Sequence, residues 1–116
     1  MGHISTHVLD AVNGKPGAKI AWSLFRVEND HAVSLGMGHT NADGRADHPL
    51  ISGGDFIAGT YEIRFGVGDY FQNCENPPKD RFLDIVPIRF HIADPSQNYH
   101  IPLLVSHYSF SSYRGS

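Results

Sequence analysis

The stretch TYEIRFGV, residues 60–67, sets Tyr61, Ile63, Phe65 and Val67 on alternate positions, with Thr60, Glu62, Arg64 and Gly66 between them. Successive side chains of a strand point to opposite faces, so this period of two predicts a strand with one apolar face on a core. The flanking segments repeat the pattern. ISTHVLD (4–10) turns Ile4, Thr6 and Val8 one way and Ser5, His7 and Leu9 the other. NGKPG (13–17) supplies turn residues before AKIAWSLFRV (18–27), where Ile20, Trp22 and Leu24 share a face opposite Lys19 and Ser23. VSLGM (33–37) is a weaker strand ending at TNADGR (40–45), in which Asp43-Gly44 signals a hairpin, because glycine accepts the positive φ such a turn needs. IVPIRFHI (85–92) places Val86, Ile88, Phe90 and Ile92 together, and Pro87, lacking an N–H, points to a sheet edge. HIPLLVSHYSF (100–110) reads as one long final strand. GDYFQNCENPPKDRF (68–82) is the only stretch suited to a short helix, with Pro77-Pro78 as its stop. About seven to eight short strands separated by turn signals predict an all-β antiparallel sandwich or barrel with one short helix.

A chain of 116 residues has room for one domain, spanning 1–116, with a core large enough to need no covalent staples. A formal charge of −3 and scattered Lys and Arg exclude a basic nucleic-acid groove. Cys74 is the single cysteine, so no internal disulfide forms, and the N-terminal residues lack the pattern of a secretory leader. No run approaches the roughly 20 apolar residues of a membrane helix. These features fit a cytoplasmic protein with neither a nucleic-acid nor a membrane partner.

Eight histidines raise the question of a metal. His3 and His7 have a spacing that converges on one ion only on a helix. On a strand, four residues span about 13 Å, too far for shared coordination. No Cys or clustered carboxylate stands at zinc-ligand spacing. His3, His31, His39, His48, His91 and His107 are expected to be ordinary surface or core residues. His7 sits on the less apolar face of the first strand and His100 opens the last, where antiparallel order would bring them together; structural roles for both remain open on the letters alone. No G-x-S-x-G elbow marks a serine nucleophile, and Cys74 has no activating context. GVG at Gly66 to Gly68 opens no convincing helix, so a phosphate loop is not expected.

ISTHVLD, TNADGR and the terminal HIPLLVSHYSFSSYRGS (100–116) together resemble the 5-hydroxyisourate hydrolase family, the transthyretin-related enzymes of urate breakdown. The resemblance runs from His3 to Ser116, and its most specific element is YRGS, which distinguishes those enzymes from transthyretin, the hormone carrier of the same fold. It implies a transthyretin-like β-sandwich assembled as a homotetramer, a dimer of dimers with sites at the dimer-dimer interface. It further implies hydrolysis of 5-hydroxyisourate to 2-oxo-4-hydroxy-4-carboxy-5-ureidoimidazoline, with no cofactor or metal. The family's site residues fall here on His7, Arg45, His100, Tyr113, Arg114, Gly115 and Ser116. Two positions depart from the common pattern: Asn98 stands where many members have His, and His107 where many have Pro.

The residue types suit that chemistry. Neutral water attacks a ring amide slowly, and His is the side chain whose pKa suits a general base near pH 7. A guanidinium presents paired N–H donors to the oxyanion that attack creates, the role expected of Arg45. His7, His100 or both would activate the water. Tyr113 would offer a hydroxyl and a ring face to a flat heterocycle, Gly115 a close backbone approach, Arg114 a hold on the tail through a carboxylate, and Ser116 an ionised acceptor. Residues appended after Ser116 are therefore expected to impair activity more than the same residues placed before Met1. The competing reading is a non-catalytic small-ligand carrier, since fold alone does not establish a reaction.

Overall fold

The computed structural model describes residues 1–116. Along the chain lie β1 (His3–Asp10), β2 (Lys15–Pro16), β3 (Ala21–Glu28), β4 (His31–His39), β5 (Ile51–Ser52), a 3-10 turn (Gly53–Asp55), β6 (Gly59–Gly66), α1 (Val67–Gln72), β7 (Ile85–Ile92), β8 (Tyr99–Val105) and β9 (Phe110–Ser112). They form two sheets, one in the order β2-β1-β8-β9 with β5 also paired to β1, the other in the order β4-β3-β6-β7. The sheets close on a core in which Ile4, Val8, Leu24, Tyr61, Ile63, Phe65, Val86, Ile92, Leu103 and Val105 are no more than 1% exposed. Burying one such side chain contributes about 2 kcal/mol, so the alternation that defines the strands also supplies the main driving force. No helix is long and apolar enough to cross a membrane.

Several expectations change in detail. Val67 continues the alternation into the core, but it is the first residue of α1, so Gly66-Val67-Gly68 does open a helix. That helix has six residues and ends at Gln72, where the Asn73 N–H reaches the Asp69 carbonyl; Pro77-Pro78 plays no part. The 100–110 segment is two strands, because a turn in which the Ser106 N–H donates to the Ser109 carbonyl (2.8 Å) folds β9 back on β8. His107 lies in that turn with its ring edge-on to Phe71, centroids 4.8 Å apart.

Asp43-Gly44 does form a tight turn, with Gly44 at φ 75°, yet it joins no hairpin. The chain beyond it leaves β4 and runs along β1: the Val8 N–H donates to the Gly44 carbonyl (2.8 Å), the Leu50 N–H to the Ile4 carbonyl (2.8 Å), and β5 then pairs β1. The turn thus carries the chain from one sheet to the other.

The remaining difference concerns β1 and β8, which pair in parallel, with Ile4 opposite Tyr99 and Asp10 opposite Val105. All other strand pairs are antiparallel. Asp10 anchors the far end of β1. Its fully buried carboxylate accepts from the Val12 and Asn13 N–H groups (2.9 Å each), Asn13 Nδ2 (2.7 Å) and the Tyr70 hydroxyl (2.6 Å). Burial opposes its charge, but these donors outweigh it and hold the carboxyl below the usual carboxylate range.

Candidate active site

The parallel pairing decides where the histidines meet. Ile4, Thr6 and Val8 enter the core, so Ser5 and His7 face outward from β1, and the register sets Ser5 opposite His100 and His7 opposite Pro102. His100 and His7 are then diagonal neighbours on one face. Their rings stack with centroids 4.8 Å apart and 23° between planes, and His7 Nδ1 lies 2.6 Å from His100 Nε2. On the far side of the His100 ring, Nδ1 is 2.7 Å from Ser5 Oγ. The result is a linear array, Ser5 Oγ, His100 Nδ1, His100 Nε2, His7 Nδ1, which leaves Nε2 of His7 as the ring nitrogen outside it.

Arg45 arrives from the turn that joins the sheets. Asn41 shapes that turn with its side-chain oxygen, which accepts from the Asp43 N–H (2.9 Å) and the Arg45 N–H (3.1 Å), while its own N–H donates to the Arg45 carbonyl (2.7 Å). Arg45 forms an isolated β-bridge with His7. Glycine is required beside it: a Cβ on Gly44 would lie 2.6 Å from the Val8 carbonyl oxygen, at a φ that side chains disfavour. Arg45 and Ser5 line one cavity of about 190 Å³, together with Asp47 and His48.

Burial and charge act in the same direction on the two imidazoles. Burial lowers the His7 pKa below its ordinary 6.5, and the Arg45 charge lowers it further. Burial likewise lowers His100, followed by His7, Arg45 and His3. Both rings are therefore neutral at pH 7, the state in which an imidazole can accept a proton. Two neutral proton arrangements satisfy the array. In one, Ser5 O–H donates to His100 Nδ1 and His100 Nε2–H donates to His7. In the other both bonds reverse, which frees a lone pair on His7 Nε2.

The tail divides. Gly115 pairs with His100 through both backbone bonds, Gly115 N–H to the His100 carbonyl (2.7 Å) and His100 N–H to the Gly115 carbonyl (3.2 Å). A Cβ there would meet His100 Cβ at 3.0 Å, so glycine permits the contact. Tyr113 and Arg114 lie elsewhere, on a cavity of about 280 Å³ bordered by Phe90 of β7 and Ser112 of β9, and Tyr113 is 60% exposed. Arg114 holds the tail through an amide and a ring, contrary to the expected carboxylate: it donates to Gln97 Oε1 (2.9 Å) and lies 4.4 Å over the Tyr99 ring. Ser116 is exposed.

The structure thus brings His7, Arg45, His100 and Gly115 together, sets Tyr113 and Arg114 on a separate cavity within one chain, and leaves Ser116 exposed next to Gly115. Ser5 was missed by sequence reasoning. Its shared strand face with His7 was visible, but only the register puts it against His100. No group of three or more His, Cys, Asp or Glu residues is placed to hold a metal ion.

Comparison with known proteins locates this arrangement. Residues 4–115 match the family described as the HIUase/Transthyretin family. The chain is 47% identical over 116 residues to 5-hydroxyisourate hydrolase 2 of Rhizobium meliloti (strain 1021), an alignment covering 99% of this chain and 97% of that protein. Among solved structures it resembles (S)-allantoin synthase (TM-score 0.90, 43% identity), covering 99% of this chain but 44% of that one. It also resembles transthyretin from Sparus aurata (TM-score 0.85, 25% identity), covering 97% of this chain and 95% of that one. With its two sheets, its short helix and nearly its whole length matched, the chain belongs to the HIUase/Transthyretin family.

Proposed function

We propose that this protein hydrolyses 5-hydroxyisourate to 2-oxo-4-hydroxy-4-carboxy-5-ureidoimidazoline, with His7 as general base, His100 as its relay and Arg45 as the group that meets the oxyanion. The observation that carries this reading is the 2.6 Å contact between His7 Nδ1 and His100 Nε2, in a setting where burial, and after it the Arg45 charge, lowers the pKa of both rings. The kinship with a hydrolase of that name supports the substrate.

The division of labour follows from which nitrogens are occupied. Both ring nitrogens of His100 are engaged, one by Ser5 and one by His7, so His100 has none to offer a water. His7 keeps Nε2. Water adds through oxygen to the ring carbonyl carbon while its proton passes to His7 Nε2, and the charge spreads across the histidine pair. The carbonyl oxygen becomes an alkoxide facing the Arg45 guanidinium. Collapse restores the carbonyl, breaks the ring C–N bond, and returns the proton from His7 to the leaving nitrogen, so that one water is consumed and both imidazoles end neutral.

Tyr113, Arg114 and Ser116 complete the substrate site in this reading only when a second copy of the chain brings its own His pair to them, as in a homotetramer with sites between dimers. Two features support that assembly. Tyr113 is largely exposed, and the cavity it lines is bordered by β7 and β9, one edge strand from each sheet. A reducing, cytoplasmic setting suits the lone Cys74, whose half-buried thiol contacts the Tyr70 carbonyl at 3.3 Å.

The test is a coupled ultraviolet assay. 5-Hydroxyisourate generated by urate oxidase should decay faster with the protein, and Arg45→Ala should lower kcat/KM by about 10²–10³, the scale of a lost oxyanion donor. Decay at the spontaneous rate with correctly assembled protein would overturn the hydrolase reading in favour of a ligand carrier.

A further inference from the structure

We infer that Ser5 is a positioning residue of this site: its hydroxyl holds His100 Nδ1, so that His100 Nε2 is presented to His7 in either proton arrangement. The inference rests on the hydrolase reading for its kinetic consequences, but the geometry stands apart from it. Ser5 Oγ is 2.7 Å from His100 Nδ1, and the residues are 95 positions apart in sequence. No competing hydrogen bond engages Ser5 Oγ, whereas the neighbouring Thr6 hydroxyl turns inward and donates to the Ile101 carbonyl (2.6 Å).

A hydroxyl suits this place because it both donates and accepts. When His100 carries its proton on Nε2, Ser5 O–H donates to the bare Nδ1. When His7 takes a proton from water at Nε2, the proton on its Nδ1 passes to His100 Nε2, and His100 Nδ1, which already carries a proton in the reversed arrangement, keeps donating to Ser5 Oγ. A carboxylate in place of Ser5 would fix one arrangement, and an alkyl group would leave Nδ1 without a partner in both. Ser5 also lines a cavity with Arg45, Asp47 and His48. The charged or titratable groups around the His100 ring are His7 and His3 from β1 and Arg45 from the turn, all of which oppose its protonation. Against those three, Ser5 Oγ is placed to accept from Nδ1–H of a charged ring.

The test compares Ser5→Ala and Ser5→Thr in the full chain, reading steady-state kinetics across pH and the ¹⁵N shifts of labelled imidazoles. Ser5→Ala should lower kcat about tenfold, the scale on which imidazoles respond to loss of an orienting partner, with KM within about twofold. It should also move the acidic limb of kcat/KM to lower pH and shift the His100 nitrogen signals. Ser5→Thr keeps the hydroxyl on the same Cβ and should restore both. Unchanged kcat and ¹⁵N shifts in Ser5→Ala would overturn the inference. So would a Thr variant as impaired as the Ala variant, which would make the effect one of packing. Complete loss in Ser5→Ala with an unchanged unfolding midpoint would also overturn it, since a hydroxyl that itself attacks the substrate would then be required. Should Ser5→Ala not fold, Ser5→Cys, with a weaker donor at the same atom, carries the same readouts. A wild-type protein without turnover would defeat the hydrolase reading while leaving the ¹⁵N comparison to decide the role of Ser5.

Discussion

His7 and His100 are buried enough to be discharged at neutral pH and close enough that only one of them can take up a proton comfortably. That coupling sets the pH dependence. Both folded pKa values lie below the unfolded 6.5, so above pH 6.5 folded and unfolded chains are alike in holding these rings neutral. As pH falls from 6.5 through the folded values, the unfolded chain binds more protons and the native state loses stability. Urea midpoints should therefore begin to decline as pH falls through 6.5, whereas kcat/KM should stay flat past 6.5 and fall only as pH reaches the lower folded values. Replacing both histidines with Asn should flatten the stability profile there, whereas an unchanged profile would place the titration in other groups. At this scale the sequence pointed to three residues of the candidate site that the fold brings together. His7, Arg45 and His100 were reached through motifs, and a neutral imidazole pair is what their chemistry asks for. Ser5 was not, because a serine on a strand has no distinguishing spacing, and its partner is fixed by register alone.

The turn at residues 41–45 shows how an element positions chemistry. Asp43-Gly44 was readable as a turn because positive φ selects glycine, but its destination was not. The segment after it pairs with β1 and not with β4, and no local pattern records which sheet a strand joins. Gly44→Ala would force a Cβ to 2.6 Å from the Val8 carbonyl while straining φ 75°. The expected cost is about 2 kcal/mol in urea unfolding, and because Arg45 follows directly, kcat/KM should fall by at least tenfold even under conditions where the variant is folded. Wild-type kinetics in a folded Gly44→Ala protein would show that the turn does not set the Arg45 position. The same limit on local information explains the other differences. The alternation marks β6 and β7 plainly, yet Val67 keeps the apolar rhythm while the backbone has already turned into α1. Likewise residues 100–110 look continuous, although the Ser106–Ser109 turn splits them.

For the whole molecule, the sandwich leaves β7 and β9 as free edges and exposes Ile85, Phe110 and Tyr113 to 54%, 44% and 60%. If those surfaces meet in a homotetramer, sedimentation should give a mass near four times 12.8 kDa, and Tyr113→Ala should raise KM more than it lowers the unfolding midpoint. A monomer at micromolar concentration with full activity would overturn the shared-site reading. The all-β class and the two-faced strands were legible because burial dictates period two. How the strands are ordered was less so, since the one parallel pair joins segments nearly a chain length apart. That pair has a kinetic consequence. His7 emerges early in synthesis and His100 some ninety residues later, and the strand pairing that unites them has the large sequence separation that slows folding. During translation, therefore, the first sheet waits with its central seam open, and the histidine pair is among the last contacts the growing polypeptide can make.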